Sequence, residues 1–89
     1  MPHYPEIHYW HVTYCNAGIS DQRAVETFID CETRERVNAL RTQIYAVSQG
    51  KYDESVLLRK FGRERKERHG SFQVWAKTML QWIAQYSRG

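Results

Sequence analysis

The segment Ile7-His8-Tyr9-Trp10-His11-Val12-Thr13-Tyr14 sets the expected fold class, because it is rich in the aromatic and β-branched residues that favour β-strands. Residues 15–21 follow with the Asn, Gly, Ser and Asp that are common in turns. Residues 24–31 read Ala-Val-Glu-Thr-Phe-Ile-Asp-Cys and fit a second strand. We therefore predict an N-terminal two-stranded antiparallel β-hairpin over residues 7–31.

Alternation along the predicted strands gives the hairpin one apolar face and one mixed face. The apolar face, which includes Trp10 and Val12, would pack on the rest of the protein. The opposite face carries Tyr9, His11 and Phe28. A two-stranded sheet is only marginally stable alone, so we predict that these three residues contact another molecule.

Three helices are predicted after the hairpin, which makes the chain an α+β protein. The first covers residues 33–49, with Thr33 as its N-cap and Gly50 just past its end. The second covers residues 53–69 and has an apolar side for barely two turns before a basic run begins. The third covers residues 71–87, where Ser71 can cap the first turn.

The third predicted helix carries a broad aromatic face. Its large apolar side chains recur at spacings of three and four residues: Phe72, Trp75, Met79, Trp82 and Tyr86. This face has more apolar area than a two-stranded sheet can cover. We predict that part of it lies in the core, which comprises Trp10, Ile29, Leu40, Ile44, Trp75 and Met79, and that Trp82 and Tyr86 contact a protein partner.

Length and composition set outer limits on the class of protein. A chain of 89 residues allows one domain, over residues 1–89, and an aromatic content of 13% argues against disorder. No apolar run approaches the ~18 residues of a membrane span, and the N-terminus lacks the pattern of a secretory signal. Two cysteines are too few for a disulfide framework, so we expect a reduced, cytoplasmic setting.

Charge is distributed unevenly along the chain. Residues 1–32 have a net charge of −4, whereas residues 33–89 have a net charge of +7. The densest basic run spans residues 59–69, and its cations are Arg59, Lys60, Arg63, Arg65, Lys66 and Arg68. Such a run attracts phosphates or an acidic protein surface, although it is also compatible with a solvated helix face. No Gly-rich phosphate loop or RNA-binding signature accompanies it.

Two kinds of chemical site are weakly suggested near the N-terminus. His8, His11, Cys15 and Cys31 resemble a zinc ligand set, but strand alternation places them on opposite faces of the hairpin. Cys15 beside His11, or His11 beside Asp30, could form a catalytic dyad, but no catalytic motif supports either pair. We therefore predict no metal and no cofactor, and keep a small metal-free ribonuclease only as a minor alternative.

The sequence thus predicts a small, non-catalytic regulatory or adaptor protein that binds a protein partner. A nucleic-acid-binding protein that uses the basic run is the alternative. A homodimer is a further prediction, in which the acidic hairpin of each copy meets the basic helix of the other and Phe28 lies at the centre.

Overall fold

Within residues 4–15 and 18–87, which the computed structural model describes, the chain forms six α-helices and no β-strand. The helices are α1 (Pro5–Tyr14), α2 (Asp21–Cys31), α3 (Arg34–Ser48), α4 (Glu54–Phe61), α5 (Glu64–His69) and α6 (Phe72–Tyr86). The longest helices, α3 and α6, pack against each other, and α6 also packs against α2 and α5. Helix α1 closes the other side of the core by packing on α2 and α3.

The predicted β-hairpin is wrong, and the α+β class is wrong with it, because residues 7–31 contribute α1 and α2. In α1, Ile7 and Trp10 lie three residues apart and are fully buried, as one face of a helix requires. Val12, which alternation assigns to the buried face, is 58% exposed. The strand preference of aromatic and β-branched residues spans only about 1 kcal/mol, and burial of the helical face overrides it.

The second predicted strand fails for the same reason. Ala24, Val25 and Phe28 are all fully buried and form one side of α2. The turn predicted over residues 15–21 is shorter than expected, because Asp21 already belongs to α2. Ser20 is the N-cap of that helix, and its Oγ accepts a hydrogen bond from the backbone N–H of Arg23 at 3.2 Å. Residues 16 and 17 of that turn lie outside the described residues.

Side-chain caps begin the helices that follow. Thr33 Oγ1 accepts from the Arg36 N–H at 3.2 Å, and Ser71 Oγ accepts from the Val74 N–H at 3.1 Å. Helices α3 and α6 accordingly lie within the predicted ranges 33–49 and 71–87. The single helix predicted over residues 53–69 is instead two helices. Gly62 ends α4 with a φ of 76°, a left-handed conformation that glycine adopts without steric cost.

Trp75 of α6 lies at the centre of an aromatic core. Its ring is 5.8 Å from that of Phe61, 6.3 Å from that of Trp10 and 6.4 Å from that of Phe72. These separations suit the tilted and edge-on ring contacts that aromatic side chains prefer. Of the predicted core, Ile29 is only half-buried, and the remaining members are fully buried: Trp10, Leu40, Ile44, Trp75 and Met79.

We expect Trp75→Ala to lower the free energy of unfolding by roughly 3–5 kcal/mol, because it leaves a large cavity among packed rings. The neighbouring Val74 is 46% exposed, and Val74→Ala should change stability by less than about 0.5 kcal/mol. Urea unfolding followed by circular dichroism measures both variants. Equal stability of the two variants would contradict the placement of Trp75 in the core.

Candidate functional site

Arg65, one of the six cations in the predicted basic run, is directed into the protein. Its Nε and Nη2 atoms donate hydrogen bonds to Oδ2 and Oδ1 of Asp21, each at 2.7 Å. Trp75 Nε1 donates a third hydrogen bond to Asp21 Oδ2 at 2.9 Å. The ion pair is largely buried, since the Asp21 side chain is 8% exposed and that of Arg65 is 13% exposed. It joins α5 to α2 and α6, so Arg65 has a structural role.

The electrostatics of this pair favour its charged form. Burial raises the pKa of the Asp21 carboxyl, but the hydrogen bonds and positive charge of Arg65 outweigh burial and bring that pKa below its ordinary value. The Trp75 N–H lowers the same pKa further. Burial likewise lowers the pKa of Arg65, and Asp21 more than compensates. The two groups therefore stay ionised together at neutral pH.

Cys15 and His11 lie close to this ion pair and are electrically neutral. Burial raises the pKa of the Cys15 thiol to about 12, so it is neither a nucleophile nor a ready metal ligand at neutral pH. Burial and the charge of Arg65 lower the pKa of His11. The His11 ring packs edge-on against Phe61 with centroids 4.7 Å apart. His11 is therefore a packing residue here, although it was predicted to contact a partner.

The rest of the basic run gives a weaker positive surface than the sequence suggests. Lys66 Nζ lies 3.2 Å from Glu54 Oε2, so its charge is balanced within the chain. The cations that have no ion pair to any described residue are Arg59, Lys60, Arg63 and Arg68. Glu64 and Glu67 are exposed among them. The structure thus brings together four free cations and two free acids on α4, α5 and the turn between them.

Phe28, the predicted centre of a dimer contact, is fully buried. The rings of Tyr9 and Tyr14 pack edge-on against it at 6.3 Å and 5.4 Å. The fold therefore has no hairpin face in its described residues. The predicted contact of another molecule with Phe28, Tyr9 and His11 on such a face is wrong. Phe28 was assigned to a surface because the predicted strand alternation placed it opposite the apolar face.

Tyr9 and Tyr14 also belong to a polar network around Glu32. Both phenol groups donate to Glu32 Oε2, that of Tyr9 at 2.9 Å. The guanidinium of Arg36 lies over the Tyr9 ring at 4.1 Å, and its Nε is 3.9 Å from Glu32 Oε1. The two phenol donors hold the pKa of Glu32 below its ordinary value, and the carboxylate in turn raises the pKa of both tyrosines. This network links α1 to the start of α3.

The last two predicted interface residues, Trp82 and Tyr86, are both partly buried against the core. Tyr86 Oη accepts a hydrogen bond from Gln22 Nε2 at 3.0 Å, which joins the end of α6 to α2. The surplus of aromatic side chains expected on α6 is therefore smaller than predicted. Two additional helices, α1 and α2, cover the area that a hairpin could not.

A surface that the sequence reasoning missed runs along the outside of α3. Four residues of that helix, spaced four, three and four apart, form one exposed or polar stripe: Arg34, Asn38, Arg41 and Tyr45. Two depressions between α3 and its neighbours meet at Arg41. Together they form what we call the α3–α6 groove. Its apolar lining consists of Ile29, Val37, Leu80 and Ile83.

The side chains of Arg34, Arg41 and Tyr45, at the rim of the α3–α6 groove, form no hydrogen bond or ion pair with another described residue. Tyr45 is 56% exposed, which is high for an aromatic residue beside apolar neighbours. Neither Arg34 nor Arg41 forms an ion pair with a described residue. The spacing of the stripe is present in the sequence, but it resembles the polar side of any amphipathic surface helix. An exposed polar helix face has no distinctive signal until its neighbours are known.

The part of the chain that the structure describes contains no group of three or more His, Cys, Asp or Glu side chains placed to hold a metal ion. Cys15 and Cys31 are free thiols, and Cys31 is exposed. No described helix has both the length and the apolar character needed to cross a membrane.

We expect Asp21→Asn to destabilise the protein at neutral pH by roughly 3–5 kcal/mol, because Arg65 is left buried without a counter-charge. The pKa of Asp21 is lowered on folding, so its contribution is present above the unfolded-state pKa of about 3.9 and is lost as the pH falls through the folded value. The wild type should therefore lose stability below about pH 4. Glu32 titrates in the same direction, so the variant keeps a shallower pH dependence.

Urea unfolding at neutral and acidic pH tests this expectation. Glu54→Gln is the control, because it removes only the exposed pair with Lys66 and should cost less than about 1 kcal/mol. An Asp21→Asn variant with wild-type stability and an unchanged pH dependence would show that the ion pair does not hold α5 in place.

Comparison with known proteins adds no constraint on these surfaces. No family model, no curated protein and no solved structure matches this chain.

Proposed function

We propose that this chain is a small non-catalytic binding protein that acts by docking on a protein partner through the α3–α6 groove. The observation that carries the proposal is the exposed Tyr45 beside Arg41, above the apolar side chain of Leu80. Tyrosine and arginine are enriched in the centres of protein interfaces, where they supply much of the binding energy. A groove with apolar walls and such residues at its rim suits a protein ligand.

The contrast with the rest of the molecule supports this choice of surface. The other notable polar groups, Arg65 with Asp21 and Tyr9 with Glu32, are satisfied inside the chain. Arg34, Arg41 and Tyr45 instead keep their interaction capacity in the isolated chain. Ordering these side chains against a partner costs side-chain entropy, which the desolvation of Tyr45 and Leu80 can offset.

The state of the reactive side chains supports a non-catalytic role. The Cys15 thiol, with its pKa at about 12, is protonated at neutral pH, and His11 is packed against Phe61. Neither arrangement activates a nucleophile, which needs an adjacent base or a lowered pKa. The free thiols of Cys15 and Cys31 suit the reduced, cytoplasmic setting that we expect for this chain.

We expect Tyr45→Ser to abolish retention of the protein partner in an affinity capture from lysate of the native host. Truncating an interface anchor typically costs about 2 kcal/mol or more, which is roughly a 30-fold loss of affinity. Val12→Ser is the matched control, because Val12 is equally exposed, at 58%, but lies on α1. The wild type and the control should retain the same protein after nuclease treatment. Capture of the same proteins by the Tyr45→Ser variant and by the wild type would contradict the proposal.

A nucleic-acid-binding role is the second candidate, and one observation favours it. Arg59, Lys60, Arg63 and Arg68 lie close together in sequence and form no ion pair with a described residue. Free cations of this kind release counterions when they contact phosphates, and this release supplies sequence-independent affinity. Arg65 is not available for this role because Asp21 binds it.

If the basic run binds nucleic acid, log affinity for duplex DNA should fall with log salt at a slope of about −3.6, which corresponds to four phosphate contacts. Arg59→Glu combined with Arg63→Glu should weaken binding to all sequences alike, since phosphate contacts carry no sequence information. Arg23→Glu combined with Lys51→Glu makes the same change in net charge at other exposed sites and serves as the control. Undetectable binding at low salt and micromolar protein would exclude this role.

A further inference from the structure

Resting on the proposed function, we infer that the α3–α6 groove binds an acidic, amphipathic α-helical segment of the partner. The inference joins three features of the groove: the charge at its rim, its apolar lining and its length. Each of these features excludes a different class of ligand.

The charge at the rim of the groove is positive. Arg34 and Arg41 line it, whereas Glu32 is the one carboxylate among the described lining residues. Glu32 already accepts hydrogen bonds from Tyr9 and Tyr14, and its negative charge is close to Arg36. Arg34 and Arg41 are therefore the two charged lining residues that have no ion pair with a described residue. A partner must bring carboxylates to neutralise them, and arginine binds carboxylates in a planar, bidentate geometry.

Part of the lining of the groove is apolar. Ile29 lines one of the two depressions and Leu80 lines the other, and both are half-buried, whereas Val37 and Ile83 are buried in the floor of the first. A ligand that offers charge alone, such as free phosphate, would leave this apolar surface in water. An amphipathic ligand covers it with aliphatic side chains and keeps its acids at the rim.

The length and repeat of the groove match a helix. Arg34 and Arg41 are seven residues apart, which is about 10.5 Å along the axis of α3, and Tyr45 lies about 6 Å further on. Carboxylates seven residues apart on a partner helix have the same separation. Helix-in-groove recognition places apolar side chains at i, i+3 or i+4, and i+7 along the groove. An added β-strand has no template here, because no described residue belongs to a sheet.

The test uses a synthetic peptide of about 18 residues with leucines on one face, glutamates seven residues apart and alanines elsewhere, a composition and length that favour a helix in solution. A second peptide replaces every glutamate by lysine, and a third scrambles the acidic sequence. Amide chemical shifts and fluorescence anisotropy report binding to the full chain. We expect the acidic helix to shift amides of residues 34–45 and 80–87, and the other two peptides to leave them unchanged.

Charge reversal makes the test specific. Arg34→Glu combined with Arg41→Glu should weaken binding of the acidic helix by about tenfold or more and allow binding of the lysine helix. Arg23→Glu combined with Lys51→Glu carries the same net charge and should bind like the wild type. Because all four positions are exposed, the variants are expected to keep their fold, which circular dichroism checks.

Three results would overturn the inference. The first is equal binding of the acidic and lysine helices, and the second is an acidic helix that leaves the groove amides unshifted. If Tyr45→Ser still loses the native partner in either case, the proposed function stands and only the acidic helix is wrong. The third is a dimer in sedimentation equilibrium that reverts to the monomer mass of 10.6 kDa in the Arg34→Glu, Arg41→Glu variant. In that case, a second copy occupies the groove.

Discussion

The buried ion pair between Asp21 and Arg65 is the contact on which the position of α5, within the basic run, depends. Helix α5 has six residues and buries none of them completely, so its apolar contacts alone cannot hold it in place. Arg65 attaches it to α2 through Asp21, and Trp75 shares the same carboxylate from α6. The pair also joins the acidic part of the chain to the basic part. One acid of residues 1–32 and one cation of the basic run are therefore paired inside the molecule.

A second polar network, at the other end of α2, joins α1 to the start of α3. The Glu32 carboxylate accepts hydrogen bonds from both phenol groups of α1, and the Arg36 guanidinium stacks on the Tyr9 ring. These contacts satisfy carboxylate and hydroxyl groups that would be costly to leave unpaired where water is partly excluded. Apart from these networks, two surfaces of the described helices carry clustered charged or aromatic side chains that form no ion pair with a described residue. They are the rim of the α3–α6 groove and the four free cations near Gly62.

These two surfaces differ in what they can bind. The free cations near Gly62 are mixed with Glu64 and Glu67, and the depression beside them has Leu58 as the one aliphatic side chain among its described lining residues, against four in the α3–α6 groove. The α3–α6 groove combines two arginines with an exposed aromatic ring and aliphatic walls. Charge alone favours phosphates, whereas charge beside apolar area favours a folded or helical protein ligand. This difference is the physical reason for preferring a protein partner.

Local signals in the sequence were sufficient to locate α3 and α6, whereas tertiary packing decided the structure of residues 7–31. Thr33 and Ser71 cap helices whose apolar residues repeat over four turns, so α3 and α6 could be located without knowledge of their neighbours. The segments that contain Trp10 and Phe28 are shorter, and their apolar residues fit both a strand and a helix. Packing against α3 and α6 selects the helix, because it buries both aromatic rings completely. The same limit applies to the sites: the sequence shows that Arg65 is basic and Tyr45 aromatic. Only the fold places a carboxylate 44 residues away against Arg65 and leaves Tyr45 exposed, since both outcomes depend on which helices become neighbours.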